Sequence, residues 1–220
     1  MTFHIITIFP EMFDSYFKES ILGRAIKQKI IKIKFYNPRD FIPRPHSGQA
    51  KHKQIDDKPY GGGPGMVMMA EPIIRAVAHI KSRIKNQDSR IMILSPNGKK
   101  FTNKYAITLA KKHQHLVLIS GRYEGIDARV KKVLRAQEIS IGDYVLTGGE
   151  LPAMVIIDII TRQIKGVLGK NESVEENRIS SPEIYTRPEI IKYKNKNYKV
   201  PKILLSGHHK NIENWKKKRT

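Results

Sequence analysis

The chain has 220 residues, of which 40% are hydrophobic, and its 41 Lys and Arg against 20 Asp and Glu give a formal charge of +21 at pH 7. This length allows one substantial core and a small second domain. The positive charge favours a polyanionic partner such as nucleic acid, although a composition that is generally rich in Lys, Ile and Asn accounts for part of that charge. The sequence contains no cysteine, which excludes disulfides, thiolate catalysis and cysteine-ligated zinc.

The first ten residues resemble a strand and lack the basic start and cleavage site of a signal peptide. No apolar run is long enough to span a bilayer. We therefore expect a cytoplasmic protein with no membrane partner.

In chain order, short apolar runs alternate with longer amphipathic stretches. Strands are predicted at residues 3–9, 31–36, 90–94 and 116–119. Helices are predicted at residues 10–28 with a break near Ser20, and at residues 71–85, 102–112, 126–134 and 151–162. This alternation predicts an α/β domain with a mostly parallel sheet and helices on both faces.

Three loops that contain glycine leave the ends of predicted strands. Ligands of parallel sheets bind beyond the carboxyl ends of the strands, so the three loops together indicate a ligand site. They comprise residues 95–98, 120–125 and 142–149.

Residues 138–154 combine a buried strand, three glycines and the start of a helix. We expect Gly142, Gly148 and Gly149 to adopt positive φ and to let the backbone approach a ligand closely. The charges in this segment are all acidic, and their isolation predicts a pocket wall built mainly from backbone groups.

Four glycines stand within residues 61–65. They fit a loop whose N–H groups bind an anion, or alternatively a flexible loop, but not a P-loop, because no Gly-Lys-Ser/Thr follows. A basic stretch precedes them and is either a phosphate-contacting loop or a solvated one; its residues are Arg44, His46, Lys51, His52 and Lys53.

The composition changes after Gly169. Residues 169–184 are polar and aperiodic, which predicts a flexible linker between a domain at residues 1–168 and a small basic helical domain at residues 185–220. The last 34 residues carry eleven Lys or Arg and two Glu. In this part, His208 and His209 fit RNA contact or a structural loop better than a metal site, and Trp215 fits the anchor of a helix.

Several segments resemble the bacterial tRNA (guanine-N1)-methyltransferases of the knotted methyltransferase superfamily. They occur in family order along nearly the whole chain. Among them are Ile8-Phe-Pro-Glu-Met-Phe13, Asp56-Asp-Lys-Pro-Tyr-Gly-Gly-Gly-Pro-Gly-Met66, Gly121-Arg-Tyr-Glu-Gly-Ile-Asp127, Ser140–Met154, Tyr185-Thr-Arg-Pro188 and Leu205-Ser-Gly-His-His209.

The resemblance implies a C-terminal trefoil knot in the α/β domain, S-adenosylmethionine as methyl donor, a homodimer, and the guanosine at position 37 beside the tRNA anticodon as substrate. The tRNA anticodon stem-loop is then the partner. The implied cofactor-binding residues are Leu94, Ser95, Pro96, Gly121, Tyr123, Glu124, Ile141, Gly142, Asp143, Tyr144, Val145, Leu146, Gly148, Gly149 and Pro152.

Three residues match family positions near the target base, and a fourth lies beside one of them. Guanine N1 must lose a proton before it attacks, so a general base is needed, and an arginine can stabilise the charge that develops on O6. Arg162 fits the second role and Asp56 lies at a neighbouring family position. The family's base is an Asp, but the corresponding residue here is Asn177, so we expect the adjacent Glu176 to act as base.

Two alternatives remain open from the sequence. One is a related knotted methyltransferase with a different target nucleotide, and the other is an RNA-binding relic with weakened catalysis, suggested by Asn177. No metal ligand is predicted, and a requirement for Mg²⁺ is not assignable from the sequence.

Overall fold

A computed structural model describes residues 1–42, 54–85, 87–168 and 183–217. The chain divides into two compact units, Met1–Val167 and Leu168–Thr220. The first contains the sheet and is described before the second.

Five parallel strands form the sheet of the first unit, in the order β2-β1-β6-β5-β7. Their bounds are β1 Thr2–Ile6, β2 Lys32–Tyr36, β5 Ser89–Lys100, β6 His115–Ser120 and β7 Gln137–Ser140. The neighbours β6, β5 and β7 place their carboxyl ends side by side. A separate antiparallel pair joins β3 Asp56–Asp57 to β4 Val67–Met68. The predicted α/β class with a mostly parallel sheet is confirmed.

The described residues of this unit form six helices: α1 Asp14–Phe17, α2 Ser20–Lys27, α3 Ala70–Arg83, α4 Asn103–Lys112, α5 Arg129–Leu134 and α6 Glu150–Arg162. Short 3₁₀ turns occur at Pro10–Phe13 and Pro38–Phe41. The predicted break in the first helical stretch is confirmed, because α1 ends at Phe17 and α2 begins at Ser20, whose φ is 52°.

Alternate residues of the central strand β6 point to opposite faces of the sheet, as the two-residue period of a strand requires. Leu116 and Leu118 pack in a cluster with α2, α4 and α6. Val117 and Ile119 pack in a second cluster with α3 and α5. All four side chains have no solvent exposure, so the sheet is covered by helices on both faces.

The strand β5 differs from its predicted bounds. It does not end at Leu94 but continues to Lys100, with a register shift between Leu94 and Lys99 where it pairs with β7. Both Leu94 and Lys99 pair with Ile139, so residues 95–98 form a bulge and β5 resumes its pairing with β7 at Lys99. The polar sequence Ser-Pro-Asn-Gly gave no periodic signal for this continuation.

The second unit contains a hairpin and two helices among its described residues, 183–217. The hairpin joins β8 Ile190–Tyr193 to β9 Lys196–Lys199, and the helices are α7 Lys202–Leu205 and α8 His209–Lys217. The hairpin adds strand structure to a domain predicted as mainly helical, because alternation of Lys with Tyr and Ile on exposed strands does not resemble a buried strand. No helix among the described residues is both long enough and apolar enough to traverse a bilayer.

Candidate functional site

A cavity of about 350 Å³ opens where β6, β5 and β7 end. The bulge after Leu94, the turn Gly121–Gly125 and the loop from Ile141 to Gly149 all contribute to its wall. Small-molecule sites occupy roughly 300–1,000 Å³, so the cavity is large enough for a ligand of modest size. The three loops that contain glycine therefore meet at one site.

The predicted cofactor-binding residues lie around this cavity with one exception. All of them line its wall except Asp143, which is exposed and pairs with Lys100, its Oδ2 lying 2.8 Å from Lys100 Nζ. Asp143 therefore links the loop after β7 to the end of β5 through this ion pair and does not line the cavity.

Several other lining residues were not among the predicted ones, and most lie inside the motifs already noted. Arg122, Gly125 and Asp127 belong to the turn after β6, while Ser140 and Thr147 flank the loop after β7. Ile93, Asn97, Lys131, Glu138 and Ile139 also line the wall. The motifs indicated the part of the chain in which most of these residues lie. They did not indicate which side chains face the cavity, because that depends on how the three loops pack.

The glycines of the loop after β7 do not serve the purpose expected of them. None of Gly142, Gly148 and Gly149 has positive φ; Gly149, for example, has φ of −83°. They are needed for close packing instead. A Cβ on Gly149 would lie 2.6 Å from Ser120 Cα, and one on Gly148 would lie 2.4 Å from Arg122 Nε. Positive φ occurs in the turn after β6, at Tyr123 (59°) and Gly125 (124°).

The glycine run at residues 61–65 is joined to the turn after β6. Gly61, Gly62, Gly63 and Gly65 all have positive φ. The chain then forms β4, where Met68 N–H donates to Gly125 C=O and Asp127 N–H donates to Met68 C=O, at 2.9 Å and 3.0 Å. The loop therefore ends directly beside the cavity wall. The basic stretch before it, residues 44–53, lies outside the described residues.

The three acidic residues of the segment 138–154 are paired, contrary to their apparent isolation in the sequence. Glu138 lies 2.6 Å from Lys131, Asp143 pairs with Lys100, and Glu150 pairs with Arg122 at 2.9 Å between Nε and Oε2. Their partners stand at least seven positions away in the chain, and so the local sequence could not show them.

The carboxylates that line the cavity differ in their availability. Asp127 accepts hydrogen bonds from Arg129 Nε and Nη2, and the Arg129 side chain thereby lowers the pKa of Asp127 below its usual value. Glu138 pairs with Lys131. Glu124 forms no ion pair with any residue that the structure describes, which leaves its charge available to a cationic ligand.

The predicted catalytic residues fall partly within the structure. Arg162 is the last residue of α6 and is half-buried, while Asp56 lies in β3 opposite Met68 and is also half-buried. Glu176 and Asn177 lie outside the described residues. Among the described residues, no three His, Asp or Glu side chains cluster in a way that could hold a metal ion.

Comparisons with known proteins agree over the whole chain. A family model described as tRNA (Guanine-1)-methyltransferase TrmD matches residues 1–220. A tRNA (guanine-N(1)-)-methyltransferase of Desulforamulus reducens is 46% identical over 100% of this chain and 84% of its own length. One of Dictyoglomus turgidum is 48% identical over 97% and 82%.

A solved structure is similar as well. The crystal structure of tRNA (m1G37) methyltransferase from Aquifex aeolicus has a TM-score of 0.77 and 38% identity, over 98% of this chain and 87% of that one. The likeness therefore extends over nearly the whole chain and includes the α/β fold with its mostly parallel sheet.

Proposed function

The chain belongs to the tRNA (guanine-1)-methyltransferase family, and on that premise we propose how its residues serve the reaction. The protein is an enzyme that transfers a methyl group to N1 of the guanosine at position 37 of tRNA. The observation that supports this function most directly is the convergence of the three family motifs on one cavity. The names of the relatives favour this nucleotide over another target.

The cavity fits S-adenosylmethionine, the methyl donor that the family implies. Gly149 packs with its Cα against Ser120, where a Cβ would lie 2.6 Å from the Ser120 Cα, so the loop after β7 lies directly against the turn after β6 and both line the cavity. Apolar residues complete the wall and can cover a flat base; they are Leu94, Ile139, Ile141, Val145, Leu146 and Pro152. When bound, the donor supplies an electrophilic methyl group on a cationic sulfonium.

Glu124 is the residue we assign to that cation. Its carboxylate lines the cavity and forms no ion pair within the described residues. Glu124 is exposed to solvent, so water screens its attraction to the sulfonium, and the contribution of this single charge is correspondingly modest. Glu124 therefore binds and orients the donor and takes no proton.

The target nitrogen imposes a second requirement. N1 of guanine carries a proton and becomes nucleophilic only when a base removes it. Asp127 suits this role poorly, because its hydrogen bonds with Arg129 lower its pKa. Glu176 is the proposed base, since the family's Asp position is occupied here by the neutral side chain of Asn177, which cannot accept the proton as a carboxylate does.

Arg162 and Asp56 complete the proposed base-binding site. As N1 loses its proton, negative charge develops on O6, and the guanidinium of Arg162 at the end of α6 stabilises that charge. Asp56 can accept hydrogen bonds from the N–H groups of the base. The base must leave the anticodon stack to reach these residues, as single-stranded RNA loops permit.

A homodimer is proposed because apolar side chains are exposed on one part of the first unit. Leu151 and Val155 lie one turn apart on α6 and are 52% and 39% exposed. Phe9, Met12 and Tyr16 come from the neighbouring segment, where Tyr16 O–H donates to Asp158 of α6 at 2.6 Å. Exposed apolar groups of this kind commonly mark an interface. The trefoil knot is part of the same proposal, as a property of the family.

The remaining assignments concern tRNA. We assign residues 185–220 to binding the anticodon stem-loop, with 169–184 as the linker, because the described part of this unit exposes many lysines. Since its substrate is tRNA, the protein is proposed to act in the cytoplasm.

Methyl transfer from labelled S-adenosylmethionine to a tRNA transcript tests the function. A transcript with guanosine at position 37 should accept the methyl group, and one with adenosine there should not. Equal labelling of both transcripts would overturn the assignment of position 37, and no labelling of either would overturn the proposed activity.

A further inference from the structure

A buried ion pair joins Arg122, which lines the cavity, to Glu150 behind the wall, and the proposed chemistry does not use it. Glu150, the first residue of α6, is 1% exposed, and its Oε2 lies 2.9 Å from Nε of Arg122, whose side chain is 17% exposed. Thr7 Oγ1 donates to the other carboxylate oxygen at 2.7 Å. A carboxylate with so little access to water is strongly destabilising unless it is paired. The Arg122 guanidinium supplies the opposite charge, although Nε and Oε2 lack the geometry of a hydrogen bond, so the pair is held by charge attraction.

Arg122 in turn contacts two surrounding segments. Its guanidinium carbon lies 4.7 Å from the centre of the Phe9 ring, and its Nη2 is 3.0 Å from the sulfur of Met12. Its Nη1 donates to the C=O of Thr147 at 3.4 Å. One side chain therefore joins the turn after β6 to the loop after β7 and to the segment that follows β1.

The glycines nearby are matched to this arrangement. A Cβ on Gly148 would lie 2.4 Å from Arg122 Nε, so the loop after β7 can pass the guanidinium only because residue 148 has no side chain. The next residue also joins the two segments, because Gly149 N–H donates to Gly121 C=O in the turn after β6 at 2.9 Å. The ion pair thus lies where two walls of the cavity, the turn after β6 and the loop after β7, are in contact.

We propose that Arg122 and Glu150 are positioning residues that keep these two walls at the separation that the methyl donor requires. This inference rests on the proposed function, because it assigns the cavity to that donor. The pair touches no reacting atom; it acts through Thr147, Gly148 and the turn after β6. Its removal should therefore weaken donor binding while the affinity for tRNA stays nearly unchanged.

Three variants of the full-length protein test the pair. Glu150→Gln removes the charge from the carboxylate, and Arg122→Lys keeps a cation but lacks the planar guanidinium that reaches Phe9 and Thr147. The double variant Arg122→Met with Glu150→Gln removes both charges, which relieves the burial of an unpaired ion. Glu71→Gln is the matched control, since Glu71 forms an ion pair with Arg75 at 2.7 Å on the exposed surface of α3.

The measurements are the dissociation constant of S-adenosylhomocysteine by calorimetry, the thermal unfolding temperature, and kcat and KM for tRNA. Glu150→Gln should weaken S-adenosylhomocysteine binding at least tenfold with a change in KM for tRNA below twofold, and Arg122→Lys should fall between it and the wild type. Glu71→Gln should match the wild type.

The double variant separates positioning from stability alone. It should recover the unfolding temperature that Glu150→Gln loses, yet still bind S-adenosylhomocysteine weakly. The inference is overturned if the double variant recovers full binding, or if a folded Glu150→Gln binds within twofold of the wild type. If Glu150→Gln does not fold, the same comparison is made with Arg122→Lys and the double variant. Failure of the wild type to bind S-adenosylhomocysteine would instead refute the proposed function.

Discussion

Gly65 lies directly against the side chain of Glu124. A Cβ at position 65 would come within 2.6 Å of both Cγ and Oε1 of Glu124, and Glu124 N–H donates to the C=O of Met66 at 3.0 Å. Gly65 therefore leaves the space in which the carboxylate assigned to the sulfonium lies, although the two segments are far apart in the chain.

Replacing Gly65 by alanine should weaken binding of S-adenosylmethionine, which carries the sulfonium, about tenfold, because the new methyl group displaces the Glu124 side chain. Gly62→Ala is a matched control, since Gly62 has nearly the same φ (82° against 80°) but no atom within 4 Å of its Cβ position. Both variants carry the backbone cost of positive φ, roughly 1–2 kcal/mol. Calorimetry should separate them, and equal losses of affinity would refute the role of the contact.

Glu176→Gln should abolish most methyl transfer in a single-turnover assay, because an amide cannot accept the N1 proton. Glu175→Gln is the control for the removal of a neighbouring charge, and it should retain most of the rate. A variant Asn177→Asp that raises the rate would show that the family position still reaches N1. Full activity of Glu176→Gln would contradict our assignment.

Arg162→Ala should lower kcat by about 10²- to 10³-fold, the usual loss when one donor to a developing oxyanion is removed. Binding of S-adenosylhomocysteine should stay within twofold, since Arg162 does not line the cavity. Lys165→Ala, which removes an exposed cation just beyond α6, serves as the control. If the Arg162→Ala enzyme loses affinity for the donor but keeps its kcat, Arg162 belongs to the donor cavity and not to the base-binding site.

His4 should make the stability of the protein depend on pH below neutrality. It is 1% exposed and its ring nitrogens lie 3.1 Å from Tyr36 Oη and from His115 Nδ1. Burial, with the nearby His115 and Lys34, lowers the pKa of His4 to about 4. The unfolded chain binds a proton near its ordinary pKa of 6.5, so between about pH 6.5 and 4 the unfolded state holds more protons than the native one.

The free energy of unfolding should therefore fall as the pH falls through this range, by up to about 1.4 kcal/mol per pH unit from this one group. Burial also lowers the pKa of His115 and adds to the same trend. Urea unfolding of the wild type and of His4→Gln between about pH 7 and 4.5 measures the difference. Identical slopes for the two proteins would show that His4 protonates equally well when folded.

The exposed hairpin of the second unit should contribute to the salt dependence of tRNA binding. Replacing Lys192, Lys196 and Lys199 by glutamine should flatten the plot of log Kd against log salt by about 0.7–0.9 for each phosphate that these lysines neutralise. An equal change of charge on α4, at Lys104, Lys111 and Lys112, is the control. If the wild type binds tRNA with no salt dependence, or if the control flattens the plot as much, the hairpin lysines do not bind the phosphates.

The sequence predicted the features that depend on patterns of neighbouring residues. It did not predict the features that depend on the packing of distant segments. Apolar periodicity located the parallel strands and most helices, and the glycine loops indicated where the cavity lies. It did not show that Glu150 pairs with Arg122 or Asp143 with Lys100, because those partners approach only when distant segments fold together. For the same reason it assigned Gly148 and Gly149 a conformational role, whereas the structure requires them for close contact with the turn after β6.

The continuation of β5 beyond Leu94 and the hairpin β8–β9 were missed for a related reason. The continuation passes through the polar bulge at residues 95–98, and the hairpin combines lysines with exposed Ile and Tyr side chains. Neither the continuation nor the hairpin shows the buried apolar run by which a strand is usually found in a sequence. Their pairing is held by backbone hydrogen bonds, on which side-chain composition has little bearing.

The identity of the methylated nucleoside tests the central claim most directly. Purified protein would be incubated with S-adenosylmethionine and an unmodified tRNA that has guanosine at position 37, and the RNA then digested and mapped by mass spectrometry. Our account predicts 1-methylguanosine at position 37 and at no other position. A methyl group on another nucleotide, on another atom of guanine, or on none would contradict it.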